Sequence, residues 1–257
     1  IFYIFDINSK KLTKLSDKKI QEPTFSPDNS KIAYVFNNNI YVYDVVENSE
    51  KQITKDGKIN SIINGVTDWV YEEEFAFVRA FDWNADGDKI AYIRFDESEV
   101  PEFSMDVFGN ELYPSKDTFK YPKAGETNAT VSLHIYDVTS AETKAVDLNG
   151  FQNYYIPRLE WTPEANVLAV QTTNRKQNDV NLLFVDGTSG EAKLILSDKD
   201  DAYVDITNNL TFLEDNDFIW TSEKDGWNHI YLYDKDGKLK NQVTQGPWEV
   251  TSYYGYY

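Results

Sequence analysis

A chain of 257 residues, 41% hydrophobic and 15% aromatic, has the apolar content for one large packed domain or two small ones. Its formal charge of −18 and pI near 4.5 would repel phosphate backbones and anionic membrane surfaces, and no local Lys/Arg cluster reverses the sign, so nucleic acid and lipid are poor partners. The absence of cysteine excludes a disulfide framework, a thiol nucleophile and a thiolate metal site.

The chain opens on Ile1-Phe2-Tyr3-Ile4-Phe5, which alternates into Asp6 and carries neither a basic leader region nor a cleavage site. An alternating strand that ends in aspartate then recurs as Tyr41-Val42-Tyr43-Asp44, His134-Ile135-Tyr136-Asp137, Leu183-Phe184-Val185-Asp186 and Tyr231-Leu232-Tyr233-Asp234. A second marker, an aromatic followed by a turn and a short apolar strand, starts at Phe25, Trp83, Trp161 and Phe212. Strict alternation predicts strands, and the Asp/Gly/Asn clusters after them predict hairpin turns. The aspartates are separated by 38, 93, 49 and 48 residues. Intervals in the forties match a four-stranded propeller blade, and the long interval holds one aromatic-turn marker, at Trp83, so it reads as one blade enlarged by about 45 residues.

The expected fold is therefore all-β, a β-propeller segment of four-stranded antiparallel blades. Residues 1–20 end one blade, 21–56 form the next, 57–148 the enlarged one, 149–198 and 199–246 two more, and 247–257 start another with Val250-Thr251-Ser252-Tyr253 as its first strand. Within the enlarged blade a Glu-rich helical insertion is expected at 68–79 and a long loop at 97–127. An open propeller leaves unpaired strand edges, which leads us to expect a longer parent protein.

No nucleophile elbow occurs, and Gly187-Thr188-Ser189-Gly190 reads as the turn after Asp186, so no catalytic residue is expected in this chain. The two histidines, His134 and His229, stand near the start of the same repeated strand, where other blades have Asn39 and Asn181; a repeat position explains both, and neither a metal nor a cofactor site is expected. The acidic loops 84–88 and 234–237 lack the bidentate glutamate of a calcium loop and read as turns. Acceptor sequons begin at Asn128 and Asn209.

In the enlarged blade, Asp68 is placed to cap a short helix that contains Glu72, Glu73 and Glu74. Acidic residues near a helix N-terminus complement its dipole by roughly 0.3–1 kcal/mol, which alone accounts for a solvated surface helix. Adjacent carboxylates on a projecting insertion also make an ammonium clamp.

The stretch Asn64-Gly65-Val66-Thr67-Asp68-Trp69-Val70-Tyr71-Glu72-Glu73-Glu74, then Glu99-Val100-Pro101, Tyr121-Pro122-Lys123-Ala124-Gly125 with Asn128, and Gly246-Pro247-Trp248-Glu249-Val250 resemble, in that order, the propeller region of the dipeptidyl peptidase IV family. The resemblance spans nearly the whole chain, about half of the family's eight-bladed ring, and none of its α/β-hydrolase domain. It implies that Glu73 and Glu74 bind the protonated N-terminus of a peptide substrate and so set the register for release of dipeptides with Pro or Ala in second position. Glu72 is left as a helix-surface residue, and Tyr203 is a loose match to an aromatic wall. The resemblance places the assisting arginine before Ile1 and the Ser/Asp/His triad after Tyr257, so the chain alone should be inactive and its own hydrolase domain is the expected partner. Homodimerisation, usual in the family, is open, and an exported, periplasmic location is expected. The competing reading is a non-catalytic WD40-like periplasmic scaffold or peptide-binding propeller in which the acidic insertion contacts a protein.

Overall fold

A computed structural model describes residues 1–148, 150, 151 and 153–256; Asn149, where one blade was expected to begin, Gln152 and the terminal Tyr257 lie outside the described residues. In chain order the first strands are β1 (Tyr3–Asp6) and β2 (Lys11–Lys14), then β3 (Gln21–Phe25), β4 (Lys31–Phe36), β5 (Asn39–Asp44) and β6 (Ser49–Gln52). The enlarged blade contains β7 (Ile62–Asn64), helix α1 (Trp69–Glu74), β8 (Phe81–Trp83), β9 (Lys89–Asp96), β10 (Glu102–Val107), β11 (Ser115–Lys120), β12 (Thr130–Asp137) and β13 (Thr143–Ala145). There follow β14 (Tyr155–Trp161), β15 (Val167–Thr173), β16 (Asp179–Asp186) and β17 (Ala192–Lys199), then β18 (Thr211–Phe212), β19 (Phe218–Ser222), β20 (His229–Tyr233) and β21 (Leu239–Gln242).

Strands β3–β6, β14–β17 and β18–β21 each form a four-stranded sheet paired in chain order, antiparallel throughout. This is the up-and-down connectivity of propeller blades, and the fold is all-β with one short helix. Burial decides which residues occupy which strand. Second strands read as continuous apolar runs, Ile32-Ala33-Tyr34-Val35 in β4 and Leu168-Ala169-Val170 in β15, and are buried along their length. Fourth strands such as β6 and β21 are charged and mostly exposed, which blunts an edge that would otherwise pair with another chain.

The chain divides into two compact units, residues 1–81 with 90–143, and residues 82–89 with 144–257. In the first, Leu15, Ile20, Ile32 and Tyr34 form a core against which Ile4, Phe36 and Tyr41 pack. In the second, Val180, Leu182, Phe218, Trp220, Tyr231 and Tyr233 fill the space between β16 and the sheet of β18–β21, with Phe218 stacked on Tyr233 at 5.4 Å.

Both repeated markers are turns closed by a side chain. Asp6, Asp44 and Asp186 each accept two backbone N–H groups through Oδ1, from the second and third residues onward, and Asp234 accepts from Asp236 and Lys238. In the aromatic-turn marker Ser26, Asn84 and Thr162 do the same work on the residues that follow them.

The enlarged blade departs from the expectation in three places. β7 and β8 both pair with β9, on the edge opposite β12, so the insertion interrupts what is a single inner strand elsewhere. Gly65 N donates to Ile93 O (3.1 Å), Ile93 N to Ala80 O (2.9 Å) and Ala80 N to Gly65 O (3.0 Å), so the excursion from 66 to 79 leaves and rejoins the sheet at one point. Gly65 has φ +78 and a Cβ there would lie 2.7 Å from Ile40 Cγ1, which requires glycine. The helix spans 69–74 instead of 68–79, because Phe75 caps it and Ala76 turns left-handed (φ 53), returning the chain so that Thr67 N meets Val78 O at 3.0 Å. The stretch 97–127 is not all loop: β10 and β11 form a regular hairpin in which Phe103 pairs with Phe119 and Ser104 with Thr118. Residues 250–253 form no strand among the described residues; Val250 instead exchanges two hydrogen bonds with Asn228.

Candidate functional site on helix α1

The helix exists because its two ends are fixed and its inner face is buried. Asp68, in extended conformation, accepts the Tyr71 N–H through Oδ1 at 3.0 Å, as an N-cap should. Tyr71 is buried in a ring cluster with Phe75 (5.1 Å), Phe77 (5.9 Å) and Phe95 of β9 (4.8 Å), and Trp69 packs on Tyr121 beyond β11 at 4.3 Å. Six residues could not hold a helix by propensity, so these ring contacts supply its stability.

Glu72, Glu73 and Glu74 are all exposed, and among the described residues no side-chain hydrogen bond or ion pair engages any of them. Their positions differ electrostatically. Glu72 lies in the first turn, where a carboxylate complements the helix dipole, whereas Glu73 and Glu74 are the last two helical residues and the last turn holds no basic residue. Carboxylates at a helix C-terminus are repelled by the dipole. Dipole complementarity therefore explains Glu72 and leaves Glu73 and Glu74 as an uncompensated pair of negative charges held on a rigid, buried foot.

The remaining candidates each have local partners. His229 is fully buried, with Nε2 donating to Gly246 O (3.0 Å) and Nδ1 3.0 Å from Thr244 Oγ1, while that hydroxyl also receives Ile230 N. Asn39 does the same in its own blade: Thr54 Oγ1 donates to Asn39 Oδ1 and receives Ile40 N. His134 stacks on Tyr92 at 5.3 Å and bonds Ser132, and burial lowers its pKa. Ser189 N is bound by Asp186 in the expected turn. Tyr203 belongs to the second unit, where its hydroxyl meets Gln177 at 3.3 Å. Among the described residues no group of three or more His, Asp or Glu side chains could hold a metal ion.

Sequence reasoning passed over Glu97, which follows β9 and is buried. Lying between Asp96 and Glu99, it reads as one more solvated loop residue, and nothing local signals its burial.

Successive antiparallel blades with capped turns, and one blade whose edge is interrupted to carry an acidic helix, define a propeller-type β-protein. The chain belongs to the dipeptidyl peptidase IV family: the family model described as the dipeptidyl peptidase IV N-terminal region matches residues 1–257. It is 31% identical to dipeptidyl peptidase 4 of Trichophyton tonsurans over 268 residues, covering 98% of this chain and 34% of that protein. To a probable dipeptidyl-aminopeptidase B of Arthroderma gypseum it is 32% identical over 286 residues, with 98% and 31% covered. The crystal structure of Porphyromonas gingivalis dipeptidyl peptidase 4 superposes with a TM-score of 0.93 at 45% identity, over 97% of this chain and 36% of that one. The chain thus spans about a third of the length of the relatives it matches.

Proposed function

We propose that this chain is the substrate-binding propeller region of a serine dipeptidyl peptidase that releases N-terminal dipeptides with Pro or Ala in second position. The observation that carries the reading is the exposed, unpaired Glu73–Glu74 couple at the dipole-disfavoured end of α1. A substrate ammonium between them donates charge-assisted hydrogen bonds and offsets the unfavourable dipole, and a blocked amino terminus leaves both carboxylates unpaired. Fixing the amino end fixes how far along the peptide the scissile bond lies. Serine attack, proton transfer through histidine and acyl-enzyme hydrolysis are assigned to a hydrolase domain outside these residues, and the propeller contributes access and positioning. The names of the relatives, dipeptidyl peptidases and an aminopeptidase, support the assignment, and an exported location suits an enzyme acting on free peptides.

The test is hydrolysis of a Gly-Pro chromogenic substrate by the whole protein. Glu73→Gln and Glu74→Gln should each cost about 1.5–3 kcal/mol in kcat/KM, while this chain alone turns over nothing. Undiminished rates in both variants would remove the clamp. A second role in protein contact is favoured by the β10–β11 hairpin, whose tip exposes Phe108, Leu112 and Tyr113. We assign that tip to self-association of the parent, which sedimentation of a Phe108→Asp variant would test through loss of the dimer.

A further inference from the structure

Two complete blades of the second unit, β14–β17 and β18–β21, enclose a cavity of about 390 Å³ between one end of the first sheet and the β18–β19 and β20–β21 turns of the next. That volume falls among small-ligand pockets, roughly 300–1,000 Å³. Its apolar lining comes from Val167 of β15, Phe184 of β16, Ile195 of β17 and Phe212 of β18, all half-buried, with the rings of Phe184 and Phe212 6.0 Å apart.

The backbone keeps the space open. Ile195 is the extra residue of a bulge, since Leu182 pairs with Leu196 and Leu183 with Leu194. The β20–β21 turn is seated on that bulge: Gly237 has φ +83, a Cβ there would lie 2.1 Å from Ile195 O, and Lys193 pairs with Asp236 at 3.3 Å. Backbone contact therefore sets the distance between the blades at this end, and Val167 and Ala192 are small residues there.

The polar groups at the walls that lack a partner among the described residues are mostly acceptors. Asn216, in the β18–β19 turn, has a buried Oδ1 without a hydrogen-bond partner. Glu164 and Glu191 are exposed, and no side-chain hydrogen bond or ion pair engages either. The sheet brings these two glutamates to the same end: Val167 and Asp186 are register partners, Val167 N donates to Glu164 O (2.9 Å) and Asp186 N to Glu191 O (3.0 Å). Asp186 is engaged in its own turn and Asp236 with Lys193, which leaves Lys235 against two free carboxylates. Apolar walls with surplus acceptors and negative charge complement a compact hydrophobic cation.

We infer that this cavity between blades is a binding site for an aromatic amine, its ring lodged among Val167, Phe184, Ile195 and Phe212 and its ammonium at the rim formed by Glu164 and Glu191. The site shares no residue with the Glu73–Glu74 couple, and the amine-clamp reading can fail without it.

The experiment titrates the whole protein, isotope-labelled at its isoleucine methyl groups, with naphthylmethylamine and with uncharged naphthylmethanol at about pH 7, where the amine is protonated. The Ile195 resonance is assigned through Ile195→Val. We expect the amine to shift that resonance saturably and the alcohol to bind about threefold more weakly or worse. Glu164→Gln combined with Glu191→Gln should bring the two probes to equal affinity, and Val167→Phe should weaken both by filling the cavity, while Glu73→Gln should leave the Ile195 response as it is. The paired glutamate variant, altered only at exposed positions, decides the matter if Val167→Phe does not fold. An Ile195 methyl that neither probe moves, equal affinity for both probes in the wild type, or a preference for the amine that survives in the paired variant overturns the inference. So does amine binding that is lost in Glu73→Gln, because the probe is then held by the clamp.

Discussion

Asp186 shows what the recurrent aspartate does. Its Oδ2 accepts Asn166 Nδ2, and its Oδ1 accepts Ser189 N and Thr188 N, two backbone bonds that hold its pKa below the ordinary aspartate value. Asp186→Ala should therefore destabilise the chain by about 1–2 kcal/mol in urea unfolding at neutral pH. Because the folded carboxylate is the better acceptor, its contribution is present above pH 4 or so and is lost as pH falls through the depressed folded value, so the variant and the wild type should converge in acid. These aspartates were legible in the sequence because the bonds they make are local, two or three residues away. Glu97 was not, since its burial depends on ring contacts between Tyr71, Phe95, Trp69 and Tyr121 that no window of sequence contains.

At the scale of elements, strands were readable wherever one side chain pattern decided them and less so where the inner edge is interrupted. The alternation of β5, β12, β16 and β20 into aspartate or its approach is explicit in the sequence. The β10–β11 hairpin is not: Phe103, Met105 and Val107 alternate with polar residues in β10, but β11 has a single apolar residue, Phe119, to pair with that face, and both strands are largely exposed. Helix α1 was legible in its start, from the Asp68 cap, and overextended at its end, because Ala76 carries no signal that it adopts a left-handed conformation. That residue is a place to intervene: Ala76→Gly should stabilise by up to about 1 kcal/mol by relieving the positive φ, and Ala76→Val should destabilise by more, as read by chemical unfolding. The proposed clamp residues stand in the sequence as part of a triplet, and only the helix's short length separates Glu72 at the favourable end from Glu73 and Glu74 at the unfavourable one.

Over the whole molecule, acidity sets the pH profile of stability. Asp28, held near 2 by the Ser26 hydroxyl and the Ser30 N–H, and Asp44 and Asp186, held low mainly by backbone N–H groups, are stabilising above their unfolded values and lose that contribution only in strong acid. Burial raises Asp68 to about 6, and raises Glu97 and Glu160 to about 7 with help from the neighbouring Asp68 and Asp82 charges. For these three the sign reverses: the native state holds protons that the unfolded chain has released, so their contribution is full below about pH 4 and is lost as pH rises through 6 and 7. The growing net negative charge, −18 by neutrality, acts in the same direction. Calorimetric melting of the chain should accordingly give a higher Tm near pH 5 than near pH 8; the opposite order would mean that these carboxyls are ionised in the fold at little cost.

The triangle of hydrogen bonds joining Gly65, Ala80 and Ile93 has a consequence for how such a protein can change. Since the excursion departs and returns at one rung of the sheet, residues can be added or removed between 66 and 79 without altering the spacing of the strands that flank it, and the entropy of a longer loop rises only slowly with its length. If the acidic end of that excursion holds the first residue of a peptide, its length acts as a ruler, and a lineage could move from counting two residues to counting three by redrawing the ruler while the blade stays as it is.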